Sequence, residues 1–255
     1  MIQRSAHLVM FGLFLAVPTG AFAQDVSACG QAVYAGVLTA DLDCSSTPFG
    51  VAILDGGSLD LAGHTLIGGS AGGVICQQAC SIQGGGGTIS GSSAHGVRAF
   101  HRRGAVTASN VNIVGNDNIG IVATRSVVVT DSEISGNGMG IHTGGTATVS
   151  GSTLTGNETT AVWADRRIFL TGSTISGSGV GGLWAKKITA DSSVIEQTTG
   201  SHEHCLTFPG ECVDIASVAR PLLTLVTCET SADLKRGAGA TYEASGASWL
   251  ACSLD

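Results

Sequence analysis

The segments NIVGN (112–116), EISGN (133–137), TLTGN (153–157) and TISGS (174–178) are one phrase written four times. Their apolar members Ile113, Ile134, Leu154 and Ile175 recur at intervals of 21, 20 and 21 residues. Asn116, Asn137 and Asn157 keep the same beat, and Ser178 takes the next slot. A second anchor follows each segment, at Gly120-Ile121, Gly140-Ile141, Ala161-Val162 and Gly182-Leu183. A third comes round at Val127 and Val129, Ala147 and Val149, Ile168 and Leu170, then Ile188. A fixed period of this length means stacked units rather than one wound core.

Within each period lie three short strand signals separated by Gly, Asn, Asp and Ser. Val127 and Val129 are expected to point inward and Val128 outward. The segments are too short and too glycine-rich for helices. The expected fold is all-β: a right-handed parallel β-helix of about seven coils with disulfide-clipped caps. Coils stack at the inter-strand spacing of a sheet, about 4.8 Å, so equivalent residues form ladders. Asn116, Asn137 and Asn157 are one such ladder, at a turn where Asn tolerates the left-handed conformation and its amide reaches the next coil. Ser132, Ser152, Ser173 and Ser192 are expected as another, small and inward.

Working outward, the earlier coils read VAIL (51–54), SLDL (58–61) and HTLI (64–67), then GVICQ (73–77), CSIQ (80–83) and GTISG (87–91), then GVRAF (96–100), AVTA (105–108) and VNIV (111–114). Leu66 and Ile89 are thus lower rungs of the Ile113 column. GGGG at 84–87 is a turn, not a phosphate cradle. Residues 1–23 have the layout of a secretory leader: Arg4 and His7, an apolar run over 8–17, and the A-x-A site Ala21-Phe22-Ala23. That run is too short to span a membrane. The expected division is leader 1–23, N-terminal cap 24–49, β-helix 50–204, and a last coil with C-terminal cap over 205–255.

All eight cysteines follow the leader, and an even count in an exported chain points to disulfides. Proximity suggests Cys29–Cys44, Cys76–Cys80, Cys205–Cys212 and Cys228–Cys252, which leaves the middle coils held by stacking alone. Zinc is disfavoured, since no C-x-x-C pair is present. His202-Glu203-His204 offers two histidines on one side but no third ligand, and is read as a loop. The chain carries 38 glycines, 12 % charged residues and a net charge of −7, which speaks against nucleic acid as a partner.

The chain resembles the secreted bacterial right-handed parallel β-helix repeat proteins of the pectate-lyase-like superfamily. The resemblance is carried by LDLAGHTLIGG (59–69), the repeated IxGN-type turns, and the tail DIASVARPLLTLVTC (214–228) with WLAC (249–252). It covers nearly the whole chain after the leader. It implies a secreted or periplasmic protein, and many members act on acidic polysaccharides as lyases, hydrolases or epimerases. His64, in AGHTL, is a turn residue by the same resemblance. The chain departs from the active members in its chemistry: it has no Arg-x-Pro-x-x-Arg, no Asp-Pro-His-Asp and no Asn-Thr-Asp or adjacent Asp pair.

The functional signal is a face. If Val97, Ile121, Ile141, Val162 and Leu183 point in, then Arg98, Val122, His142, Trp163 and Trp184 form an outward column. Phe100, Thr124, Gly144, Asp165 and Lys186 form a second. The turn beyond holds His101, Arg102, Arg103, Arg125, Arg166, Arg167 and Lys187. Eight of the eleven Lys and Arg residues after the leader fall in this band. Tryptophan faces suit sugar rings and Arg forks suit carboxylates. The expected ligand is an acidic, uronate-type polysaccharide, held by Trp163, Trp184, Phe100, Arg125, Arg166 and Lys186. Lyase or epimerase chemistry needs a base for the C5 proton and a cation for the carboxylate; the candidates are His142, Arg98 and Asp165, with Arg166 or Lys186 to neutralise the carboxylate. No metal ligand set is evident, and one Asp on the face does not supply the six to eight oxygens that Ca²⁺ takes. The chain is expected to be a monomer. The reading from another class is a non-catalytic structural or surface-interaction solenoid. Ice binding is disfavoured because the outward columns are mixed.

Overall fold

The computed structural model describes residues 23–196, 213–217, 222–224, 226–228 and 231–233. They form an all-β parallel solenoid of about eight turns, with no helix among the described residues. Each turn contributes to three strand columns. In the middle coils these are separate strands, for example Ile119–Ala123, Ser126–Thr130 and Glu133–Ser135. Elsewhere the first two columns run together, as in Phe49–Asp60, Thr160–Thr171 and Gly181–Asp191. Every strand pairing is parallel and joins one coil to the next.

Counted from the N-terminus, coil 1 is Gln31–Leu38 with Leu42–Asp43, and coil 8 is Gly181–Asp191 with Val194–Glu196. The seven coils expected from residue 51 onward are coils 2 to 8. The extra coil is built from the segment expected as a cap. Its strands already pair in register with coil 2, Val33 opposite Ile53 and Leu42 opposite Leu66, while Gln24–Val26 lies along Gly36 to Leu38. Val213–Ser217, Leu222–Thr224 and Thr227–Cys228 continue the three columns beyond coil 8.

The core is the set of inward ladders. Leu66, Ile89, Ile113, Ile134, Leu154, Ile175 and Ile195 pair rung to rung, and none is more than 1 % exposed. Each such side chain taken out of water is worth about 1.5–3 kcal/mol. Val127 and Val129 are fully buried while Val128 is only half-buried, as alternation requires.

Two polar ladders run through this apolar interior. Asn116 Nδ2 donates to Asn137 Oδ1 at 2.9 Å, and Asn137 Nδ2 donates to Asn157 Oδ1 at 3.2 Å. The left-handed conformation at these turns belongs to the preceding glycines, Gly115, Gly136 and Gly156 (φ 61°, 61° and 59°), not to the asparagines. The serine ladder is Ser132, Ser152, Ser173 and Ser193; Ser193, not Ser192, takes the last slot. Each Oγ accepts the N–H of the residue one coil below, as Ser193 Oγ does from Ser173 N at 3.2 Å. Ser192 stands one place earlier, exposed, in the left-handed position (φ 49°) that Asp131 holds three coils below.

Cys29–Cys44 and Cys76–Cys80 are disulfides, as expected. The first closes coil 1 on itself, and a loop of 15 residues is worth about 3 kcal/mol in the chain-entropy view. The second staples the corner between the first two strands of coil 3. The pairs Cys205–Cys212 and Cys228–Cys252 rest on residues outside the described ones, as do the leader over 1–22 and His202-Glu203-His204. Among the described residues no helix is long and apolar enough to cross a membrane.

Candidate functional site

The outward column of the first sheet is built as the alternation demands. Arg98 pairs with Val122, Val122 with His142, His142 with Trp163 and Trp163 with Trp184. The two indoles stack at 4.8 Å between centroids and 9° between planes. The ring of His142 meets Trp163 edge-on at 6.1 Å. The tryptophans therefore spend their facing surfaces on each other, and both are only half-buried. Trp163 Nε1 donates to Asp165 Oδ1 at 3.2 Å, which ties that carboxylate to the aromatic stack.

A separate group sits one side of Val122. Arg98 Cζ lies 5.7 Å from the centroid of the exposed Phe100 ring, and His95 meets the same ring edge-on at 5.4 Å. Burial is the main cause holding the His95 pKa below its ordinary value of 6.5, with Arg98 and then His142 adding repulsion. Its Nδ1 is buried without a hydrogen-bond partner. The three residues expected to share catalysis thus fall into two groups. His142 and Asp165 gather round Trp163, and Arg98 sits with His95 and Phe100. Val122, only 4 % exposed, lies between Arg98 and His142.

The basic residues form a groove at the corner where the first strand column turns into the second. Its volume is about 640 Å³. Its floor is a ladder of small residues, Ala79, Ala105, Ser126 and Thr146, paired in register. Arg103, Arg125 and Arg166 line it. The corners of coils 5, 6 and 7 each hold two residues: Thr124-Arg125, Gly144-Gly145 and Asp165-Arg166. Coil 8 has one residue fewer there, so the register shifts between Ala164 and Arg167 and Arg166 stands out at the groove. At coil 6 the corner has no side chains. A Cβ on Gly144 would stand 2.6 Å from the carbonyl oxygen of Thr124, and one on Gly145 would collide with the carbonyl of Arg125. The packing of adjacent corners thus imposes glycine there, which leaves a hollow between Arg125 and Arg166.

Among the described residues the one side-chain ion pair is His64–Asp41 at 3.4 Å, in a distant turn. The Asp41 carboxyl is held below the usual range by the N–H of Thr65 first, and by His64. Among the described residues the groove arginines have no such neutralising partner, so their forks are open to carboxylate, sulfate or phosphate. Lys186, Lys187 and Arg167 are exposed on the same side, with Arg167 and Lys187 paired in register. No group of three or more His, Cys, Asp or Glu side chains converges among the described residues.

Reading the strand columns forward from the sequence finds Arg98, His142, Trp163, Trp184, Arg125 and Arg166. It misses His95 and the hollow. The available signal for the hollow is the Gly-Gly doublet at 144–145, which occupies a corner filled by Thr-Arg in one neighbouring coil and Asp-Arg in the other. Comparison with known proteins found no matching family, no matching curated protein and no matching solved structure.

Proposed function

We propose that the chain is an exported β-solenoid of the pectate-lyase-like kind that holds an acidic, uronate-type polysaccharide in its arginine groove. The observation that carries this reading is the groove itself: Arg103, Arg125 and Arg166 line one open channel, and none is neutralised by a protein carboxylate among the described residues. An otherwise acidic chain that gathers its cations along one channel attracts polyanions there. The disulfides Cys29–Cys44 and Cys76–Cys80 suit the oxidising compartment in which such a glycan is met.

Holding is favoured over turnover by a specific observation. A uronate lyase or epimerase needs its base and its carboxylate-binding cation around one sugar. His142 and Arg98 are separated by the intervening rung of Val122. The tryptophans contribute edges beside the groove, since their facing surfaces are already stacked.

Affinity electrophoresis through gels containing polygalacturonate or alginate tests the reading. Mobility should be retarded at low salt and restored as salt rises, because exposed charges are screened over about 8–10 Å at physiological ionic strength. Arg125→Ala and Arg166→Ala should each weaken binding by up to about 1 kcal/mol. A neutral glucan gel should leave mobility unchanged. Retardation that is absent at low salt, or equal in the glucan gel, rules the proposal out. Ultraviolet detection of unsaturated uronate, with and without Ca²⁺, separates holding from cleavage.

A further inference from the structure

We infer that a second copy of this chain docks on the outer face of the second strand column, forming a two-fold dimer whose symmetry axis runs parallel to the solenoid. The outward file down the middle of that face reads Thr107, Val128, Thr148, Phe169, Thr189 and Leu222, paired rung to rung. Phe169 is 38 % exposed and Leu222 62 %. Two of the four large hydrophobic side chains left exposed among the described residues therefore lie in this one file. Hydroxyls and Val128 fill the rest of it, so the face is low, small-featured and open to close approach.

The two ends of the column carry opposite charge. In coil 5, Arg125 immediately precedes the strand Ser126–Thr130 and Asp131 immediately follows it. In coil 8 the column begins at Lys187 and ends at Asp191. Between these ends the strands of the column hold no charged side chain among the described residues. Arg125, Asp131 and Lys187 are exposed, and Asp191 is half-buried.

This layout is self-complementary for one symmetry operation. A half-turn about an axis parallel to the solenoid keeps each coil at its own level and reverses the strand direction. Arg125 then faces Asp131 of the second copy, Lys187 faces Asp191 of the second copy, and each pair occurs twice. The file of Phe169 and Leu222 meets its own copy in the middle. A half-turn about the strand direction would instead set the cationic ends against each other. Charge thus selects one closed, isologous arrangement. Sheets packed face to face stand about 10 Å apart, a gap that Lys or Arg reaching toward Asp can span. Strands of five residues, about 17 Å, over seven inter-coil steps, about 34 Å, give each copy a face of about 600 Å². The total of about 1,200 Å² lies at the lower edge of specific interfaces, so the dimer is reversible and depends on its charged edges. Lys187 and Asp191 do not line the arginine groove, which separates this contact from any ligand held there.

Sedimentation velocity on the full chain, over a concentration series at low and high salt, tests the dimer. At low salt the mass should rise toward twice that of the chain, and it should fall back as salt screens the edge pairs. Lys187→Glu and Asp191→Lys should each raise the dimer Kd by about ten-fold or more, since each change enters a two-fold interface twice. A chain carrying both changes restores opposite charges across the interface and should return to within about three-fold of the parent. Phe169→Asp should leave the chain monomeric. These side chains point outward, and unchanged melting temperatures would show that the variants fold. A parent that stays monomeric at low salt would overturn the proposal. So would a dimer indifferent to all three single changes, or a double variant weaker than both of its singles.

Discussion

His95 shows what a single side chain contributes when its surroundings oppose its charge. Burial, Arg98 and His142 all disfavour its imidazolium, and its Nδ1 has no hydrogen-bond partner. The unfolded chain, with an ordinary pKa of 6.5, takes up the proton first. Stability is therefore unaffected above that value, falls as the pH drops below it, and stops falling once the folded histidine also protonates. Melting temperatures between pH 8 and pH 5 should decline more steeply for the parent than for His95→Gln, and parallel curves would contradict the assignment. None of this is legible in the sequence, where SSAHG is an ordinary turn: the cost arises from burial first, then from Arg98 and from His142, which reaches the site only through the stacking of coils. The serine ladder marks another limit of residue-level reading. Ser192 and Ser193 are adjacent and identical, and only the backbone, left-handed at Ser192, decides which one faces inward.

At the scale of the element, the unit that matters is the column, not the strand. Three-residue strands such as Glu133–Ser135 have almost no stability alone, and their neighbours above and below complete every backbone hydrogen bond. Asn137 shows how tightly the columns are tied. It is fully buried, accepts from the N–H of Asn116 at 3.1 Å, and donates to the carbonyl of Ile113 at 3.0 Å. Asn137→Ala leaves the buried N–H of Asn116 without its acceptor and cuts the amide ladder between Asn116 and Asn157, so a loss of about 2 kcal/mol is expected in denaturant unfolding. A change below about 0.5 kcal/mol would mean that water replaces the amide. The columns are legible because a period of 20 or 21 residues with Ile or Leu at one phase has no other economical reading. The corners are less so, because their lengths vary from one to five residues and the sequence does not say where the extra ones project. The Gly144-Gly145 hollow belongs to that variable part, which is why the arginines of the band can be read forward and the hollow between them cannot.

The described residues form a stack in which each coil pairs only with its neighbours, so their properties vary along one axis and around it. Along the axis, Cys29–Cys44 secures the first coil and Cys76–Cys80 the third, while coils 4 to 8 rely on pairing alone among the described residues. The segment over 24–49 reads from the sequence as a cap because its strands lack the Ile-x-Gly-Asn phrase; it joins the stack because Val33 and Leu42 still fall at inward phases. Around the axis, charge is unevenly distributed among the described residues, although Asp165 shares the arginines' corner. Arg103, Arg125 and Arg166 occupy the corner between the first two columns, while Asp131 and Glu133 line a hollow at the next corner round. Across the described middle coils this makes a transverse electric dipole, although the sequence pI of about 5.4 describes the chain as simply acidic. At neutral pH and low ionic strength it should be retained on a cation exchanger as well as on an anion exchanger, binding each through a different flank. Arg103→Glu combined with Arg125→Glu should abolish the first retention and strengthen the second.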